Sequence, residues 1–185
     1  MAYSGKTCAI CDTGPLISAF QSGSFALMVE IFHQIVIPSV CRTGLEEHGW
    51  IEELTAASFL VRAMKLTANE ASHAIGVASR IAKHPASKKR VSESHLGEAG
   101  VIVLALRSEH RQDVALIDEL AARGVASDSG LAISGFPGVL LLAARGGLIS
   151  AEEVRARLKT CRQQGTHYSE SLVRQVYNMA ASGRR

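Results

Sequence analysis

DVALIDELAARGVASDSGLAISGFPGVLLLAAR, residues 113–145, holds two short apolar runs, each followed by a helical pattern. The run at 113–117 reads as a buried strand, 118–127 as a helix, 131–134 as a second strand and 136–145 as a second helix. Strands that alternate with helices imply a parallel sheet, because a parallel neighbour needs a crossover connection. The runs are continuously apolar rather than alternating, as strands covered on both faces should be. The same rhythm extends toward the N-terminus. Residues 7–12, 34–37 and 59–64 read as strands, and 14–21, 24–32, 38–48, 67–83 and 96–109 as helices. Residues 84–95, HPASKKRVSESH, are polar and irregular and read as a loop. Two C-terminal helices follow, at 151–163 and 169–181. Thr67 with Glu70, and Ser150 with Glu153, carry the spacing of capping boxes. The expected fold class is α/β, three layers with a central, mostly parallel sheet. One domain over 1–185 is expected, with a core at 1–149 and the helical pair at 150–185.

The chain has 185 residues, 47% hydrophobic and 20% charged. That is long enough to bury a core without disulfides or structural metals. No apolar run approaches the ~20 residues of a membrane span. The N-terminus, MAYSGKTCAICD, lacks the apolar core of a secretory signal. A cytoplasmic location is the expectation, and Arg184 and Arg185 read as a frayed tail. The net charge of +3 permits a polyanionic partner without demanding one. Cys8 and Cys11 form C-x-x-C, but no second pair exists to complete a zinc site. They read as two small buried hydrophobes in a reducing compartment.

In an open α/β sheet the site lies outside the carboxyl ends of the strands. Asp12 ends the first strand and Asp118 the fourth. The helix at 96–109 must run antiparallel to the strand it feeds, so Glu98 in its first turn lies at the same rim. Asp113 and Asp128 fall toward the opposite edge. Three adjacent carboxylates repel one another, and a hard divalent cation relieves that repulsion. Mg²⁺ or Mn²⁺ beside a phosphodiester activates water and stabilises the transition state. The constellation therefore reads as a metal-dependent nuclease site. Lys83, Lys88, Lys89 and Arg90 concentrate positive charge ahead of Glu98, where they suit phosphate contact. No phosphate-cradling glycine loop, H-E-x-x-H or G-x-S-x-G occurs. An α/β enzyme that hydrolyses a small phosphorylated metabolite at the same rim is the alternative from another class.

CDTGPLI at 11–17, LGEAGVIVLAL at 96–106 and the stretch 115–149 resemble motifs of the PIN-domain family. The resemblance covers nearly the whole chain and is similar to a subgroup related to VapC-type toxins. It implies a PIN-like fold and Mg²⁺- or Mn²⁺-dependent cleavage of RNA that leaves a 5′-phosphate and a 3′-hydroxyl. By it, Asp12, Glu98 and Asp118 are the metal-binding carboxylates. It also implies that Thr13 orients the first Asp or a water, that Glu119 completes the acidic pair, and that Arg123 makes an ion pair or a substrate contact. The subgroup carries a Glu where this chain has Thr43; Glu46, or Glu47 beside it, is the nearest substitute. An antitoxin protein and a homodimer are partners that the resemblance implies. The alternative it leaves open is a catalytically impaired PIN-like module that binds nucleic acid or protein.

Overall fold

A computed structural model describes residues 7–183. The strands are β1 (Cys8–Cys11), β2 (Gln34–Pro38), β3 (Val61–Met64), β4 (Val114–Leu116) and β5 (Ile133–Ser134). They form one sheet in the order β3-β2-β1-β4-β5, and every pairing is parallel. The helices are α1 (Thr13–Gln21), α2 (Phe25–Ile31), α3 (Ser39–Glu47), α4 (Ile51–Ala56), α5 (Ala68–Lys83), α6 (Leu96–Ala105), α7 (Leu120–Asp128), α8 (Phe136–Arg145), α9 (Ala151–Gln163) and α10 (Glu170–Ser182).

Side chains of successive strand residues point to opposite faces, and each face has its own core. Ala9, Cys11, Ile35, Ile37 and Leu116 pack with residues of α1, α3 and α8–α10. Ile10, Val36, Ala115 and Ile117 pack with α5, α6 and α7. The result is the expected three-layer α/β/α arrangement. Every residue from Ala99 to Ala105 in α6 is buried, as its unbroken apolar sequence requires. Gly100 lets that helix meet β2, since a Cβ there would lie 3.0 Å from the Pro38 ring.

Both capping boxes form. Glu70 has a second role: its carboxylate accepts from Arg107 Nε at 2.7 Å and Nη2 at 2.8 Å. That pairing accompanies an extended backbone at Arg107 and ends α6 at Ala105, earlier than the 96–109 pattern suggests. Strand β3 begins at Val61 rather than residue 59, because Leu60 and Val61 both donate backbone N–H groups to Ala57 at the end of α4. Helix α4 itself carries no sequence signal: six residues are too few to display a period. Cys8 is half-buried, with Sγ 3.3 Å from His33 Nδ1, so only Cys11 of the C-x-x-C is a core residue. All four cysteines are free thiols. Residues 1–6, and Arg184 and Arg185 with them, lie outside the described residues.

Candidate active site

The sheet reverses its winding between β1 and β4: β1 connects onward to β2 on one side, and β4 to β5 on the other. Crevices at such reversals are where α/β sheets bind ligands. Asp12 and Asp118 stand at this crevice. Cys11 pairs with Leu116, and the Asp12 N–H donates to the Leu116 carbonyl at 3.0 Å, so both strands end at the same level. A Cβ on Gly14 would lie 4.0 Å from Oδ2 of each aspartate, which places the two carboxylates within twice that distance of each other. Helix α6 arrives from the other layer with its first turn at the rim. A Cβ on Gly97 would lie 3.1 Å from Asp12 Oδ1, and Glu98 follows immediately.

Neither aspartate caps the helix that follows it in the chain. Asp12 precedes α1 but makes no side-chain cap bond. Helix α7 is capped by Glu119, whose Oε2 accepts from the Ala122 N–H, and Asp118 is left free of that task. Burial and then the Glu98 carboxylate push Asp12 up to about 7, with Asp118 adding to the rise. The Thr13 N–H and the Cys41 thiol, 3.5 Å from Oδ1, favour its charged form in part. Burial also raises Glu98, and Glu119 adds to that rise while Lys89 opposes it.

Burial raises Asp118 as well, against two hydrogen bonds and the Arg123 charge. Its Oδ1 accepts from the Phe136 N–H at 2.8 Å, and its Oδ2 from the Tyr168 hydroxyl at 2.7 Å. Tyr168 lies within 2.8 Å of Ser18 Oγ, which ties the segment before α10 to α1 and to the rim. Gly135 permits this arrangement, because a Cβ there would collide with Asp118 Oδ1.

His95 stands beside Glu98. It is buried, and its Nε2 lies 2.9 Å from the Lys89 carbonyl. A carbonyl only accepts, so Nε2 carries the proton. Nδ1 has no hydrogen-bond partner among the described residues and lies 3.8 Å from Glu98 Oε1.

The rim thus brings together Asp12, Glu98 and Asp118, with Thr13, Glu119, Lys89 and Arg123 beside them. Thr13 hydrogen-bonds the Cys41 thiol through its side chain and reaches Asp12 through its backbone. Glu46 does not join: it pairs with Arg42 at 2.8 Å on the exposed face of α3, and Glu47 is exposed too. The face of α3 that meets Asp12 carries Cys41 instead. Arg90 is also diverted, since its Nη1 donates to the carbonyls of Ala82 and His84 at the end of α5. Lys88 remains exposed on the same loop. Asp113 serves the opposite edge, accepting from the Cys8 N–H and meeting His110 at 2.8 Å. Sequence reasoning missed Tyr168, Cys41, Ser18 and His95. Only His95, three residues before Glu98, stood in a pattern that points to the rim.

The donors suit a hard cation: all are carboxylate oxygens, Asp12 buried and Glu98 and Asp118 half-buried, and burial is the first cause that raises the pKa of each. They are spread, however, and among the described residues no three His, Cys, Asp or Glu side chains stand close enough to hold an ion together. That spacing fits an ion that keeps part of its water shell, as Mg²⁺ does when one or two carboxylates bind it. A family model described as "PIN domain" matches residues 8–182. No curated protein and no solved structure matches the chain.

Proposed function

The chain belongs to the PIN-domain family, and on that premise we propose that it is a divalent-metal-dependent ribonuclease. PIN domains have a nuclease-like fold. One observation supports the finer reading: three carboxylates from distant segments face the point where the sheet reverses, with Glu98 and Asp118 both within electrostatic reach of Asp12, and burial raises the pKa of each. Acidic groups placed there for structure alone would each have a cationic or capping partner. Asp118 has such partners in the Phe136 N–H and the Arg123 charge, whereas Asp12 has neither a cap bond nor an ion pair among the described residues.

Asp12 and Glu98 would hold Mg²⁺ or Mn²⁺, with Asp118 facing it across the crevice. When bound, such an ion supplies an acidified water and positive charge at the phosphoryl oxygens. The chain's own part is to pre-orient these ligands. Phe136 and Tyr168 fix both oxygens of Asp118. The thiol of Cys41 and the first turn of α6 fix Asp12. Lys88 and Lys89, beside Glu98, would meet the phosphate backbone, and Arg123 would balance charge at Asp118. Arg90 is left to its structural role. Residues 7–183 would work as one unit, since the segment before α10 supplies Tyr168 to the rim.

Single-stranded RNA incubated with Mn²⁺ should yield fragments bearing 5′-phosphates, and Asp12→Asn should abolish their formation. Cleavage that survives the substitution would overturn the reading. A second reading, a PIN module that binds without cutting, is favoured by the spread of the carboxylates and by Thr43 in place of a glutamate. It predicts no Mn²⁺ binding by calorimetry. A toxin role with an antitoxin, and a homodimer, rest on the family resemblance. Co-purification with the product of a neighbouring reading frame tests the first, and sedimentation velocity tests the second.

A further inference from the structure

Helices α9 and α10 line an open groove of about 300 Å³ on the layer that also carries α1 and α8. Its walls carry four cations, Arg155, Lys159, Arg162 and Arg174, against one carboxylate, Glu170. Arg155, Lys159 and Arg162 follow at intervals of four and three residues, so they line one face of α9 over about 10 Å. Like charges four residues apart destabilise a helix. Only Arg162 has an ion-pair partner among the described residues, Glu170 at 3.4 Å. The Arg155 guanidinium lies 4.7 Å from the centre of the Tyr177 ring. Tyr177 is half-buried in the opposite wall.

We infer that this groove binds the phosphodiester backbone of single-stranded RNA and leads the strand to the carboxylate rim. The inference deepens the ribonuclease reading and rests on it for the identity of the polyanion. A row of cations with one carboxylate among them matches a repeating anion better than a single one. Cations combined with an aromatic ring and a stacked guanidinium are the means by which proteins hold single strands without reading sequence. One end of the groove is also joined to the rim through the buried Tyr168. Arg162 and Glu170 stand at the turn between the helices, and Glu170 is two residues from Tyr168, whose hydroxyl touches Asp118.

The test is fluorescence anisotropy of a short labelled oligouridylate with the full chain in EDTA, over a range of salt concentrations. Without metal, neither cleavage nor the carboxylate site contributes, so this result stands apart from the outcome of the cleavage assay. The double variant Arg155→Gln/Lys159→Gln should bind about tenfold more weakly, and its log K against log salt slope should shrink by about 1.4, or ~0.7 for each lost phosphate contact. Arg80→Gln, on the exposed face of α5 in the opposite layer, should bind like the wild type. Matching circular dichroism spectra would show that each variant folds. An unchanged affinity and slope in the double variant, or no salt-dependent binding by the wild type, would overturn the inference. So would a polyglutamate peptide that binds the wild type and loses binding in the double variant while RNA binding persists, because the groove would then serve an acidic protein.

Discussion

Replacing Asp12 with Asn should make the metal-free protein more stable at alkaline pH and less stable at acid pH. Burial and the Glu98 carboxylate raise the Asp12 carboxyl from 3.8 to about 7. A carboxyl whose pKa rises on folding holds its proton more tightly in the folded chain than in the unfolded one. The resulting penalty on folding is nil below about pH 4, grows between about pH 4 and 7, and is complete above that. For this gap the full penalty is about 4 kcal/mol. Asparagine fits the same space and still accepts from the Cys41 thiol, but its buried amide costs about 1–3 kcal/mol where it lacks a partner. The variant should therefore lose about that amount at pH 4 and gain about 1–3 kcal/mol at pH 8, a rise of roughly 5 °C in Tm for a chain of this size. Unfolding in EDTA, followed by the fluorescence of the single tryptophan, Trp50, measures both. A difference between the two proteins that stays flat from pH 4 to pH 8, or that worsens for the variant as pH rises, would refute the account of Asp12. Mn²⁺ should reverse the order at pH 8, since only the wild type keeps the carboxylate.

Three further outcomes follow from the same contacts. Tyr168→Phe leaves Asp118 Oδ2 and Ser18 Oγ without their shared partner and should cost about 1–3 kcal/mol in urea unfolding at pH 8. Gly135→Ala drives a methyl group into Asp118 Oδ1 and should lower both Tm and cleavage rate, whereas Gly76→Ala, where a Cβ meets open space, should raise Tm slightly. Glu98→Gln should abolish Mn²⁺ binding in calorimetry; binding that persists would remove Glu98 from the ligand set.

The parallel sheet and its carboxylate-bearing edge were legible because they depend on short-range patterns. Apolar runs gave the strands, and the direction of α6 followed from its place before β4, which put the first turn of α6, with Glu98, at the Asp12 end of the sheet without any knowledge of contacts. The partners of those carboxylates were not legible for the opposite reason. Tyr168 is fifty positions from Asp118 in the chain, and only the packing of the α9–α10 pair on α1 brings them together. Cys41 and Glu46 show how helical phase decides. Five residues apart on α3, they point about 140° from each other. The thiol therefore faces Asp12, and the glutamate turns outward to Arg42. Arg90 sits in a run of charges that reads as a solvated patch, yet its guanidinium finds backbone carbonyls left open at the end of α5. Helix α4 escaped because it is too short to show periodicity.

All of this depends on a divalent ion sitting among Asp12, Glu98 and Asp118. A crystal soaked in Mn²⁺ and measured at a wavelength where manganese scatters anomalously locates the ion directly. The account predicts an anomalous peak in the crevice between β1 and β4, bonded to Asp12 and Glu98. A crystal with full Mn²⁺ access and no peak there, or with manganese bound only elsewhere, would contradict it.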